Sequence, residues 1–168
     1  MKNNIYFYEV QRFNQWWFWL IWILVFAIMI SAIIFSSDNE KTSYVGIILV
    51  MIIALAMFIV RLKTIINEDG VYIRYFPFHL KYKRFLWDEI EEVYIRKYRP
   101  MLEFGGWGLR LGIGRLGIGR KNIAYNVRGN IGLQLVLKNG KKVLIGTMQA
   151  DAMQQILSKI KQQNGERI

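Results

Sequence analysis

Two long apolar runs, Trp16 to Ser36 and Tyr44 to Val60, lie near the start of the chain with only the polar stretch Ser37 to Ser43 between them. At about 1.5 Å per residue the first is about 30 Å long as a helix, the thickness of a bilayer's hydrocarbon core. The second reaches the lower limit, with Leu62 and the stem of Arg61 extending it at the boundary. The pattern predicts a helical hairpin over residues 1–60 with membrane spans at 16–36 and 44–60. A cleaved secretory signal fits poorly, because its apolar region is about 7 to 15 residues long and ends at a small-residue site. A buried soluble hairpin fits poorly too, since the rest of the chain has little apolar mass with which to surround two such helices. Lys2, Arg12, Arg61 and Lys63 flank the runs on one side, and Asp38, Glu40 and Lys41 lie in the loop. The positive-inside rule then predicts a multi-pass protein of the cytoplasmic (inner) membrane with both termini cytoplasmic. Trp16, Trp17, Trp19, Tyr6, Tyr8 and Tyr44 suit interfacial belts, although helix packing uses the same stripe.

Beyond Val60 the pattern changes to short alternating segments, which predicts a β domain over residues 61–168. Arg61 to Ile66 and Val71 to Phe76 read as strands around the turn Asn67-Glu68-Asp69-Gly70. Lys81 to Leu86, Ile90 to Tyr98, Trp107 to Leu111, Ile123 to Val127, Ile131 to Leu137 and Lys142 to Gly146 continue as a meander. Asn139-Gly140 between the last two predicts a two-residue type I′ hairpin turn. Thr147 can cap a closing helix whose apolar positions Ala152, Met153, Ile156, Leu157 and Ile160 recur at helical spacing.

Charge is unevenly distributed. Three basic and three acidic residues occur up to Val60, so the formal charge of +11 belongs entirely to 61–168. Such an excess implies either an anionic neighbour, the inner leaflet being the nearest, or a domain kept in solution by self-repulsion. From Arg96 to Arg128 eight bases, Arg96, Lys97, Arg99, Arg110, Arg115, Arg120, Lys121 and Arg128, face Glu103 alone. Within this segment Leu111-Gly112-Ile113-Gly114-Arg115 is repeated as Leu116-Gly117-Ile118-Gly119-Arg120. Glycines there would let the backbone approach a bound group, and the arginines would bring guanidinium forks to phosphates. Arg110, Arg115, Arg120, Lys121 and Arg128 are thus the candidate contacts to anionic lipid or a partner; a glycine-rich hairpin with solvated arginines is the equal alternative. The repeat lacks the Gly-Lys-Ser/Thr ending of a nucleotide-binding loop.

Catalytic signals are sparse. His79 is the one histidine, and Asp88, Glu89, Glu91 and Glu92 sit beside bases that balance them. With no cysteine there is neither a disulfide nor a thiolate metal site, and no cofactor, metal or enzymatic activity is expected. Gly105-Gly106-Trp107-Gly108 reads as a structural turn.

The blocks Phe85 to Val93, Gly105-Gly106-Trp107-Gly108-Leu109-Arg110, Ala124 to Gly132 and Asn139 to Thr147 resemble those of bacterial PH-like (pleckstrin-homology-like) domain proteins, in which the domain often follows two N-terminal transmembrane helices. The resemblance implies a membrane α + β protein, with a PH-like antiparallel barrel or sandwich of about seven strands capped by a C-terminal helix. Phosphoinositide pockets in eukaryotic relatives use a basic first hairpin turn, whereas Glu68 and Asp69 stand here. The resulting expectation is a non-enzymatic scaffold at the membrane face, contacting protein partners or anionic headgroups, with self-association left open. The alternative is a tethered nucleic-acid-binding protein using residues 96–128, disfavoured because no recognisable nucleic-acid motif is present.

Overall fold

The computed structural model describes residues 4–13, 16–35, 40–111 and 122–164. In chain order it contains β1 (Ile5–Arg12), α1 (Trp16–Phe35), α2 (Glu40–Ile59), β2 (Arg61–Asn67), β3 (Gly70–Phe76), β4 (Lys83–Leu86), a 3₁₀ turn (Trp87–Glu89), β5 (Ile90–Lys97), α3 (Pro100–Phe104), β6 (Gly108–Leu111), β7 (Asn122–Asn126), β8 (Ile131–Leu137), β9 (Lys142–Gly146) and α4 (Ala150–Asn164). Two compact units result: the N-terminal strand up to Gln11 with the chain from Arg61 onward, and residues 12–60.

The apolar runs form α1 and α2, the latter starting at Glu40, ahead of Tyr44. Within this unit the Trp19 and Phe58 rings meet edge-on at 5.9 Å, and large apolar side chains such as Ile23, Leu24, Leu49 and Leu55 stand exposed. Side chains are described without interruption over 19–34 and 45–59, and among the described residues no helix is long and apolar enough to cross a membrane. The expected transmembrane helices at 16–36 and 44–60 are corrected accordingly, and with them the multi-pass localisation in the inner membrane, the assignment of both termini to the cytoplasm, and the membrane as a partner through two spans. Residues 37–39 of the expected external loop lie outside the described residues.

The expected PH-like antiparallel barrel or sandwich of about seven strands is also corrected, because the described residues hold nine strands, one of them from the N-terminal segment and two paired in parallel, in sheets ordered β1-β2-β3-β4 and β5-β8-β9-β7-β6. Two features separate this from a simple meander. β1 supplies an edge strand from the N-terminal segment, and β7 pairs with β9 in parallel from Asn122↔Lys142 to Tyr125↔Ile145. The sequence hides β1 because its inward positions are Phe7, Glu9 and Gln11, two of them polar. Asn4 Nδ2 donates to Glu68 Oε1 at 2.7 Å, which joins the start of β1 to the end of β2 and sets the two strands antiparallel.

Local chemistry explains the hairpins. In the β2–β3 turn Asn67 Oδ1 accepts from the backbone N–H of Asp69 and of Gly70, each at 3.1 Å. A side chain on Gly70 would collide with the Phe85 carbonyl oxygen and come within 2.8 Å of Leu86 Cα, so glycine is required where β4 crosses. The β8–β9 turn differs from the sequence expectation by one residue. Gly140 N–H donates to Leu137 O and Leu137 N–H to Lys141 O, both at 2.8 Å, which makes a three-residue loop with Gly140 at φ 75° in place of a two-residue one. A register shift between Ile90 and Glu92 in β5 keeps both Ile90 and Val93 buried.

The inward positions of both sheets supply the core, with Leu62, Ile66, Ile73, Leu133, Leu135 and Ile145 fully buried. Met153, Leu157 and Ile160 of α4 join it, while Ile156 is half-buried and Ala152 exposed. Burial of this kind stabilises by about 25 cal/mol per Å² of apolar surface.

Candidate functional site

Among the described residues, the bases of the segment that the sequence singles out each have their own surroundings. Arg96 is committed internally: its Nη2 lies 2.8 Å from Glu103 Oε2, and its Nε donates to Gln134 Oε1 at 3.0 Å. Burial alone would raise the Glu103 carboxyl, but the hydrogen bonds from Arg96 and from the Arg99 backbone outweigh it and hold its pKa below the usual value. Arg110 is exposed on β6, its Nε donating to Trp107 O at 3.1 Å. Arg128 is half-buried in the turn after β7 and has an interaction of its own. Arg115, Arg120 and Lys121 lie outside the described residues, as does all of the Gly/Arg repeat 111–120 beyond Leu111.

Beside the foot of that segment the two sheets meet in a network of buried polar and aromatic groups. Asn126, fully buried in β7, accepts from Gly108 N–H through Oδ1 at 2.7 Å and donates to the Tyr98 hydroxyl at 3.1 Å. Its carbonyl accepts the Tyr75 hydroxyl of β3 at 3.4 Å. Burial pushes both tyrosines above their ordinary pKa; Arg110 opposes this at Tyr75, and the Asn126 hydrogen bond opposes it at Tyr98. Next to them Lys83 Nζ donates to the Tyr125 hydroxyl at 3.1 Å, and the His79 ring lies 5.5 Å from that of Tyr125. Burial, and then the Lys83 charge, lower the His79 pKa. Every one of these groups except His79 Nδ1 has a partner, so the network reads as a seam that locks the sheets together. Trp107 does the same locally, donating to Gly129 O at 2.9 Å.

No family model matches the chain, and no curated protein matches it. With the sheet order above and no spanning helix among the described residues, the resemblance to PH-like domain proteins with two N-terminal transmembrane helices is withdrawn.

A different surface carries unpaired charge. Along β2 and β3 every second residue points away from the core, and the register sets Arg61 opposite Phe76, Lys63 opposite Arg74 and Ile65 opposite Tyr72; Tyr72 in turn stands opposite Arg84 of β4. Ile5, Tyr6, Tyr8 and Arg12 are the exposed positions of β1, which continues the same sheet. No carboxylate occupies an outward position of β1 to β4. Among the described residues Arg61, Lys63, Arg74 and Arg84 have no carboxylate within 4.0 Å. Glu68, in the nearby turn, accepts instead from Asn4 and Tyr6. Sequence reasoning passed over this face because its bases are scattered between residues 12 and 84 and only the register brings them together. Among the described residues no group of three or more His, Cys, Asp or Glu side chains is placed to hold a metal ion.

Proposed function

We propose that the protein is a non-catalytic binding module that docks its β unit on an anionic lipid-headgroup surface. The observation that supports it is the unneutralised charge: the chain carries a formal +11, yet four bases on one sheet face have no carboxylate within reach among the described residues. Like charges directly across a strand pair destabilise a sheet, so Lys63 opposite Arg74 costs folding free energy that an anionic partner would return on binding. Tyrosines between these bases suit a boundary that is wet on one side.

Single-stranded nucleic acid is the second reading, favoured by the same alternation of Tyr72 and Phe76 with arginines, which could offer stacking faces. The deciding experiment measures adsorption of the full chain to anionic vesicles, to zwitterionic vesicles and to single-stranded DNA at the same salt. Preferential retention on anionic vesicles that declines as salt rises is expected. Equal retention on both lipid compositions, or a preference for the DNA at physiological ionic strength, overturns the reading.

A further inference from the structure

Resting on that reading, we infer that the contact is made by the outward face of the β1–β4 sheet together with the tip of the β3–β4 loop, and not by Arg99 and Arg110. Charge complementarity points to a lipid surface as the occupant: the outward positions of the sheet carry bases and no acid, as shown above. The Nε atoms of Arg61 and Arg74 are buried without an acceptor and both residues are half-buried, which keeps their side chains close against the sheet.

The loop adds what a purely electrostatic face lacks. Immediately after β3, Phe78 is 65% exposed and Leu80 76% exposed, with the exposed Lys81 following. The loop is held in place, not loose: His79 N–H donates to Tyr75 O at 2.8 Å, the Phe78 ring rests 5.9 Å from that of Tyr75, and Tyr82 lies under the Arg74 guanidinium at 5.3 Å. That last contact brings the returning end of the loop onto the outward face itself. Two large apolar side chains held in water beside a basic, aromatic face match the chemistry of a headgroup boundary, where apolar tips enter the acyl edge and bases engage the phosphates. A nucleic-acid strand would leave Leu80 in water.

The test uses the full chain and the ratio of binding to anionic over zwitterionic vesicles, from which charge-independent adsorption drops out. Lys63→Gln with Arg74→Gln should lower this ratio at least tenfold, at about fivefold per basic group removed, whereas Arg99→Gln with Arg110→Gln should leave it within about threefold. The chain has no cysteine, so Leu80→Cys carries a single environment-sensitive fluorophore whose emission should shift to the blue on anionic vesicles and stay unshifted with soluble phosphate. A parent ratio unaltered by the Lys63/Arg74 pair, or an unshifted fluorophore on vesicles that retain the protein, overturns the assignment of the face while leaving the proposed function standing. A parent that does not distinguish the two lipid compositions overturns the function itself.

Discussion

His79 shows how one residue's surroundings set its chemistry. Its ring packs on Tyr125 beside the Lys83 ammonium, and its Nδ1 is buried without a partner. Both burial and the neighbouring cation disfavour the imidazolium, which lowers the folded-state pKa below 6.5. Because the unfolded chain then takes up the proton first, the stability due to neutral His79 is complete above pH 6.5 and declines as the pH falls through that value toward the folded pKa. His79→Phe keeps a ring against Tyr125 and cannot titrate. Thermal melts of this variant should change less between about pH 7 and pH 5 than those of the parent; an equal loss in both would mean that His79 does not report on this seam. The sequence showed a lone histidine after Pro77 but could not show the lysine and tyrosine that control it, because they come from β4 and β7.

At the scale of elements, β1 and α4 are tied together by one buried carboxylate. Glu9 is 4% exposed; its Oε2 accepts the Thr147 hydroxyl at 2.7 Å and its Oε1 accepts Met148 N–H at 2.8 Å. Thr147 Oγ1 in turn accepts Gln149 N–H at 3.0 Å just before α4 begins, and Gln11 Nε2 donates to Gly146 O. A hydroxyl ahead of an amphipathic run was readable from the sequence as a cap, although Thr147 accepts from Gln149 N–H before the helix and not from the N–H groups of its first turn. Its dependence on a glutamate of the N-terminal strand was not, because the two residues are far apart in the chain. Glu9→Ala leaves two buried or half-buried donors without an acceptor and should cost about 2 to 4 kcal/mol in chemical denaturation. Faster amide exchange in the first turn of α4 should accompany the loss; unchanged stability would show that water replaces the carboxylate.

At the scale of the molecule, the sheet that begins at Ile5 resumes only at Arg61, so α1 and α2 interrupt a β unit instead of preceding it. Antiparallel β1 and β2 bring Arg12 and Arg61 to the same end of the sheet. Replacing 13–60 by a short Gly-Ser linker should therefore preserve a cooperatively unfolding β unit, because closing a loop of this kind costs only slowly more with length. Starting the chain at Arg61 should instead give a markedly less stable product, with β2 left as an unpaired edge and the Thr147 hydroxyl without its acceptor. Circular dichroism melts of the two chains decide this: equal midpoints would show that β1 contributes nothing.

Local pattern in the sequence determined the hairpin of β2 and β3, the positions of β4 to β9 to within a residue or two, the helical runs and the buried stripe of α4, because each depends on neighbours a few residues apart. Tertiary structure alone decided the rest. β1 joined its sheet although its inward positions are Glu9 and Gln11, since their polar groups find partners on Gly146, Thr147 and Met148. The order β5-β8-β9-β7-β6 depends on which edges remain open once each hairpin has formed, a choice that no local signal encodes. The basic face arose in the same way. Arg61, Lys63, Arg74 and Arg84 are dispersed in sequence, and strand register, which places Lys63 across from Arg74, is what makes them a surface.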